Sequence, residues 1–151
     1  MLVVVVVGGG VLVVTVALVG LLRAVLSVVV VAGPSMSPAL RPGQRVLVLR
    51  RGPARLRAGR IVVVSPDGLG ASRTGPARRQ PDRLVVKRLA ALPGDPVPPP
   101  VRPLVAGGMV PGGHVVLLGD NPEFSTDSRM WGAVPARSVV GVVLDGVRLR
   151  G

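Results

Sequence analysis

The chain has 151 residues, 48% of them hydrophobic but only 1% aromatic, and a net charge of +12 from 19 Lys and Arg against seven Asp and Glu. That length holds one N-terminal membrane segment and one small domain, not two independent cores. The absence of cysteine excludes thiol catalysis and disulfides, and a single histidine, His114, with only seven acids leaves almost no material for a zinc or calcium site, so no cofactor is expected.

Residues 2–22, LVVVVVGGGVLVVTVALVGLL, carry no charge and are about long enough to cross a bilayer as a helix. A cleaved signal peptide is the competing reading. It lacks a basic region before the apolar run, and apolar character resumes after Arg23 as far as Ala32, so an uncleaved anchor over 1–23 is expected. Arg23, taken alone, puts the following domain in the cytoplasm.

Residues 26–32, LSVVVVA, are β-branched and run into the Gly33-Pro34 break, which predicts a first strand. Further short strands are predicted at 44–49, 60–65, 84–92, 114–118 and 138–144, each bounded by turn residues. Residues 66–83 read as a solvated loop and 96–113, with PVPPP and two Gly-Gly pairs, as an irregular connection. The fold expected over 24–151 is therefore mainly β, a compact folded-sheet or barrel-like domain behind one transmembrane helix. The arginines are scattered and no set of aromatic platforms exists for stacking bases, so nucleic acid is excluded as a partner. Anionic membrane phospholipid explains the charge better, although arginine-rich usage is also what a GC-rich genome produces.

Eighteen of the basic residues are arginine and one, Lys87, is lysine. Alternation along its strand turns Val85, Lys87 and Leu89 to one side and Val86 and Arg88 to the other. Apolar surroundings disfavour an ammonium and lower its pKa, which makes a lysine, unlike an arginine, a usable general base. The bland alternative is a lysine that snorkels its charge to water.

A lysine base needs a hydroxyl to activate. Ser35 and Ser37 both lie in Gly33-Pro34-Ser35-Met36-Ser37-Pro38, where the prolines stiffen a turn after the first strand. Position alone does not choose between them. The segment 119–132, GDNPEFSTDSRMWG, packs three of the seven acids with the only Trp and the only Phe and reads as a functional loop. Within it Asp127 and Arg129 can pair across a tight turn, and Ser125 can reach and orient a lysine amine. Asp120-Asn121 reads as a capped turn closing a hairpin.

In this order the segments resemble the bacterial signal peptidase I family of serine proteases, serine peptidase family S26. Ser35-Met36-Ser37-Pro38 is similar to its Ser-Met-x-Pro nucleophile motif, which selects Ser35. Residues 40–48 resemble its L-x-x-G-D-x-V-x-V strand with Gln44 in place of the acid. Residues 87–95 resemble its K-R-x-x-x-x-P-G-D motif, and 119–135 its G-D-N, S-x-D-S-R and W-G-x-V-P box. The resemblance implies a Ser-Lys dyad of Ser35 and Lys87, with Ser125 orienting the lysine and Asp127 and Arg129 holding that loop. It also implies an oxyanion site at the backbone N–H of Ser35. The hydroxyl that some members place two residues earlier falls on Gly33, and Pro34 has no N–H, so the second donor is left unidentified.

As to activity, the resemblance implies a membrane-bound serine endopeptidase that removes signal peptides from exported precursors with small residues before the cut, working as a monomer. Its catalytic domain would lie outside the cytoplasmic membrane, against the reading of Arg23. Pro122-Glu123-Phe124 stands where the family usually has Arg-Asp-Asn, and the 96–113 connection is short. Both features fit a dedicated maturation protease of the same family, such as those that process nickel superoxide dismutase. Two further alternatives are a self-cleaving repressor, which needs a DNA-binding domain where this chain has its apolar segment, and an inactive membrane-anchored β-domain that binds peptide or lipid.

Overall fold

The computed structural model of the chain describes residues 2–50, 56–66 and 84–149, with side chains over 12–50, 56–66 and 84–144. Apart from Pro66, the loop expected over 66–83 lies outside the described residues.

Helix α1 runs Leu2–Val25. In so apolar a run the backbone has no polar partner but itself, and the helical hydrogen bonds satisfy it. Its side chains are described only from Leu12 onward, a length of roughly 20 Å at the helical rise, short of the roughly 30 Å hydrocarbon core. Among the described residues no helix is long and apolar enough to cross a membrane, so the fold does not establish the span expected over 1–23. The helix also runs two residues past the expected boundary, and β1 follows at Leu26 with no connecting residue.

Seven strands form one antiparallel sheet in the order β1-β2-β7-β3-β4-β5-β6. They are β1 Leu26–Val30, β2 Arg45–Leu49, β3 Ile61–Val64, β4 Val85–Ala91, β5 His114–Leu118, β6 Val134–Pro135 and β7 Val139–Leu149. The six predicted strands are all present. Two features differ from expectation: β6, which is only two residues long, and the continuation of β7 five residues beyond 144.

Valine at alternate positions supplies both faces of this sheet. One core cluster joins Val46, Val63, Val86 and Val143 with Met36 and Leu40 from the segment after β1. A second holds Val62, Val64, Leu89, Val115 and Leu117. The 96–113 connection is more ordered than its prolines suggest. A 3-10 helix at Pro99–Leu104 helps to seat Val97, Val101, Val105 and Val110 against Ala91 and Val116 in a third cluster.

The sheet register frames the site. On β4, Val85–Arg88 pair with β3, whereas β5 pairs only from Arg88 onward, with a shift between Leu89 and Ala91. The β5-facing edge of Val85–Lys87 is therefore left unpaired by β5, and the 3-10 turn Pro34–Met36 packs on β4.

Candidate active site

Lys87 stands opposite Val62 on β3, on the face that carries the fully buried Leu89 and Val62, and is itself only 2% exposed. It does not snorkel. Its Nζ donates to Ser125 Oγ at 2.7 Å. Ser125 in turn donates to Asp127 Oδ2 at 2.6 Å, so its one hydroxyl proton goes to the carboxylate and its lone pair faces the amine.

Asp127 has no exposed surface. It is the N-cap of the short helix α2, Ser128–Trp131, and accepts from the Arg129 N–H. The Arg129 guanidinium grips both its oxygens, through Nε at 2.9 Å and through Nη2. The Gly119 N–H donates to Oδ2 at 2.7 Å. Burial alone would push this carboxyl up, but the hydrogen bonds from Arg129, Gly119 and Ser125 bring it down to about 2. It is a fixed anion at any working pH.

Burial lowers the pKa of Lys87; the Asp127 charge opposes that shift and the Arg129 charge adds to it. The Arg129 pKa is raised, chiefly by its hydrogen bond to Asp127. Lys87, Ser125, Asp127 and Arg129 thus form one continuous hydrogen-bonded chain from a buried amine to a half-buried guanidinium.

Ser35 is tied by its backbone to the loop that carries this chain. It sits half-buried in the 3-10 turn Pro34–Met36, and its carbonyl accepts the Asn121 N–H at 3.0 Å. Its hydroxyl makes no hydrogen bond to Lys87 or to any other described residue. Ser37, the rival, points its hydroxyl back at the Leu40 carbonyl, 3.5 Å away. Gly33 is extended, and a Cβ there would meet nothing within 4 Å.

Three residues matter more than the sequence suggested. Gly119 lies where a Cβ would fall 2.1 Å from Ser125 Oγ and 2.8 Å from the Ser35 carbonyl oxygen, so only glycine lets these two serines share that space. Asp120 accepts from Arg88 Nε at 2.7 Å and from Nη2 at 2.6 Å, while Arg88 Nη1 reaches the Gly59 carbonyl. This ties the loop to β4 from the face opposite Lys87. Ser128, fully buried, accepts the Leu117 N–H at 2.9 Å and docks α2 on β5. All three fall in the polar segment that stood out in the sequence. Among the described residues no three His, Cys, Asp or Glu side chains stand together as a metal site.

The β-domain thus buries one amine against a serine, a carboxylate and an arginine. The family model for signal peptidase, peptidase S26, matches residues 4–99 and 99–144, and the chain belongs to that family. It is 36% identical over 126 residues to mitochondrial ATP-independent inner membrane protease subunit 1a of Arabidopsis thaliana, covering 81% of this chain and 70% of that one. With mitochondrial inner membrane protease subunit 1 of Xenopus tropicalis it shares 37% over 119 residues, 76% of this chain and 64% of the relative. The corresponding Homo sapiens protein is 32% identical over 112 residues, 72% and 61%. The chain thus spans between 61% and 70% of the length of these curated relatives.

Proposed function

We propose that this chain is a serine endopeptidase that cleaves exported precursors after small residues, with Ser35 as nucleophile and Lys87 as general base. One observation carries the reading. A lysine 2% exposed, its pKa lowered by burial, is held at 2.7 Å by a serine whose own proton is committed to Asp127.

That hydrogen bond uses one N–H of the neutral amine and leaves its lone pair in one of the two other positions on nitrogen. Ser35 Oγ attacks the scissile carbonyl while its proton passes to Lys87 Nζ, and the same proton is delivered to the leaving amine as the acyl-enzyme forms. Water then repeats the sequence on the ester. In a structure without substrate the contact between nucleophile and base is often long, and the packing of the Pro34–Met36 turn on β4 keeps Ser35 beside the strand of its base. The unpaired edge of Val85–Lys87 offers main-chain hydrogen bonds to an extended substrate. In this reading Asp127 and Arg129 are positioning residues that act through Ser125.

α1 is the membrane anchor in this reading, since Arg23 is its one charge over 24 residues and the relatives are named inner membrane proteases. The catalytic domain lies on the side where precursors emerge. At the junction the Arg50 N–H donates to the Val25 carbonyl at 2.7 Å, which puts exposed Arg50 and Arg23 at the end of the anchor. Anionic phospholipid headgroups are their natural counter-ions.

The test is to incubate the detergent-solubilised chain with a panel of exported precursors, beside Ser35→Ala and Lys87→Arg, and to map the new N-termini. Cleavage after small residues that both substitutions abolish is expected. Cutting by the Ser35→Ala protein would sink the assignment, and cleavage of a single precursor would identify a dedicated maturation protease.

A further inference from the structure

We propose that the Asn121 carboxamide is the second oxyanion donor, completing the site that Gly33 and Pro34 leave with the Ser35 N–H alone. The inference rests on the serine-protease reading above. Acyl transfer places a full charge on the carbonyl oxygen, and a water-excluding site needs preorganised donors at the position that oxygen will occupy.

The segment 119–121 packs on the backbone carbonyl of Ser35. Asn121 donates its N–H to the Ser35 carbonyl at 3.0 Å, and the Gly119 backbone approaches so closely that a Cβ there would lie 2.8 Å from the same oxygen. An asparagine ahead of a short helix ordinarily turns its side chain onto the helix N–H groups. Asn121 stands in that place, before the 3-10 helix Pro122–Phe124, and makes no such bond. Its carboxamide has no hydrogen-bond partner among the described residues, although the residue is half-buried.

The neighbouring polar groups are engaged elsewhere. Ser37 turns to Leu40, Ser125 and Arg129 to Asp127, Arg88 to Asp120, and Lys87 is the base. Among the described residues, Asn121 is the remaining side-chain donor that the backbone ties directly to Ser35. As Ser35 Oγ bonds to the carbonyl carbon, the hydroxyl proton moves to Lys87 and the carbonyl π pair moves to oxygen. That oxygen takes hydrogen bonds from the Ser35 N–H and from Asn121 Nδ2–H. When the pair returns, the C–N bond breaks and Lys87 gives its proton to the amine.

The test uses the detergent-solubilised full chain and a peptide taken from a mapped cleavage site, with Asn121→Ala, Asn121→Asp, Gly33→Ser and the Gly33→Ser/Asn121→Ala double variant. Asn121→Ala should lower kcat about 100- to 1,000-fold, as loss of one oxyanion donor does, with KM and the melting temperature unchanged. Asn121→Asp, which keeps the shape and loses the N–H, should fall at least as far. A hydroxyl at position 33 enters open space, and Gly33→Ser should restore at least about tenfold of kcat in the Asn121→Ala background. A kcat retained in both Asn121 variants overturns the proposal, as does a loss that Gly33→Ser does not recover. If instead the unaltered chain cleaves no better than Ser35→Ala, the protease reading itself fails and takes this proposal with it.

Discussion

Gly119→Ala is the sharpest probe of the site, because it adds one methyl group at the point where the two serines meet. Its Cβ would fall 2.1 Å from Ser125 Oγ, 2.5 Å from Ser125 Cβ and 2.8 Å from the Ser35 carbonyl oxygen, where ordinary contact begins at 3.4 Å. A backbone carbonyl held by the Asn121 N–H yields less readily than a side chain, so Ser125 must move by more than 1 Å. That movement breaks its 2.7 Å bond to Lys87 and its 2.6 Å bond to Asp127. A misplacement of about 1 Å in a catalytic group lowers the rate about 100-fold, and overpacking of this kind destabilises by about 1–3 kcal/mol. Steady-state kinetics on a mapped peptide and urea unfolding measure the two effects. Ser125→Gly removes both Ser125 contacts, so Gly119→Ala should cost less stability in that background than in the unaltered chain, a coupling read from a double-mutant cycle. If Gly119→Ala stays within about 0.5 kcal/mol in stability, the range of an inconsequential surface change, and retains its activity, the close approach is not a constraint and the reasoning fails.

Lys87→Met should abolish cleavage and raise the urea midpoint at pH 7, because burial disfavours the ammonium and a thioether fills the same apolar slot; a lower midpoint would contradict that. Stability of the unaltered chain should rise with pH above the folded-state pKa of Lys87, since the unfolded chain then binds the extra proton. This rise should be missing in Lys87→Met. The Arg129 charge lowers the Lys87 pKa, and removing it also leaves Asp127 uncompensated, so Arg129→Gln should move the acid limb of the kcat/KM profile to higher pH. An unchanged or acid-shifted limb would refute the assignment of that limb to Lys87. Asp127, at about 2 against an ordinary 3.8, contributes about 2 kcal/mol that is present above pH 4 and lost as pH falls through 2. Asp127→Asn should remove that acid sensitivity, with chemical unfolding between pH 5 and pH 2 as the measure.

The strands were legible because valine runs between turn residues carry a local signal that the backbone obeys. β6 was not, since a two-residue Val134–Pro135 strand exists only through its pairing with His114 and Val115 on β5. The order of the 96–113 connection was hidden because its prolines suggest irregularity, while valines at 97, 101 and 105 recur every four residues and are all buried. In the site, the Asp127–Arg129 pair followed from residue chemistry and proximity in the loop, whereas the Ser125–Lys87 contact spans 38 residues and was expected from residue chemistry and the order of the motifs. The role of Gly119 did not, because a glycine required by close approach is defined by what arrives from elsewhere in the chain, here the Ser35 carbonyl. The pairing of Arg88 with Asp120 spans 32 residues and had no local signal beyond an arginine beside the lysine.

The single lysine among eighteen arginines takes its meaning from the way burial and charge are balanced around it. A guanidinium at position 87 would keep its proton in any such pocket, and its charge would then stand 2% exposed beside one carboxylate already committed to Arg129. A lysine there can lose its proton, and the site makes that loss moderate. Burial and the Arg129 charge favour the neutral amine, while the fixed charge of Asp127, one hydroxyl away, favours the ammonium. Without Asp127 the amine would be a poor base once desolvated; without burial it would be protonated throughout the working range. Ser125 sits between the two charges and passes the carboxylate's orientation, but not a formal bond to it, on to the amine. The same geometry that requires glycine at 119 therefore sets the basicity of residue 87, so a change at either position should register in the pH profile as well as in the rate.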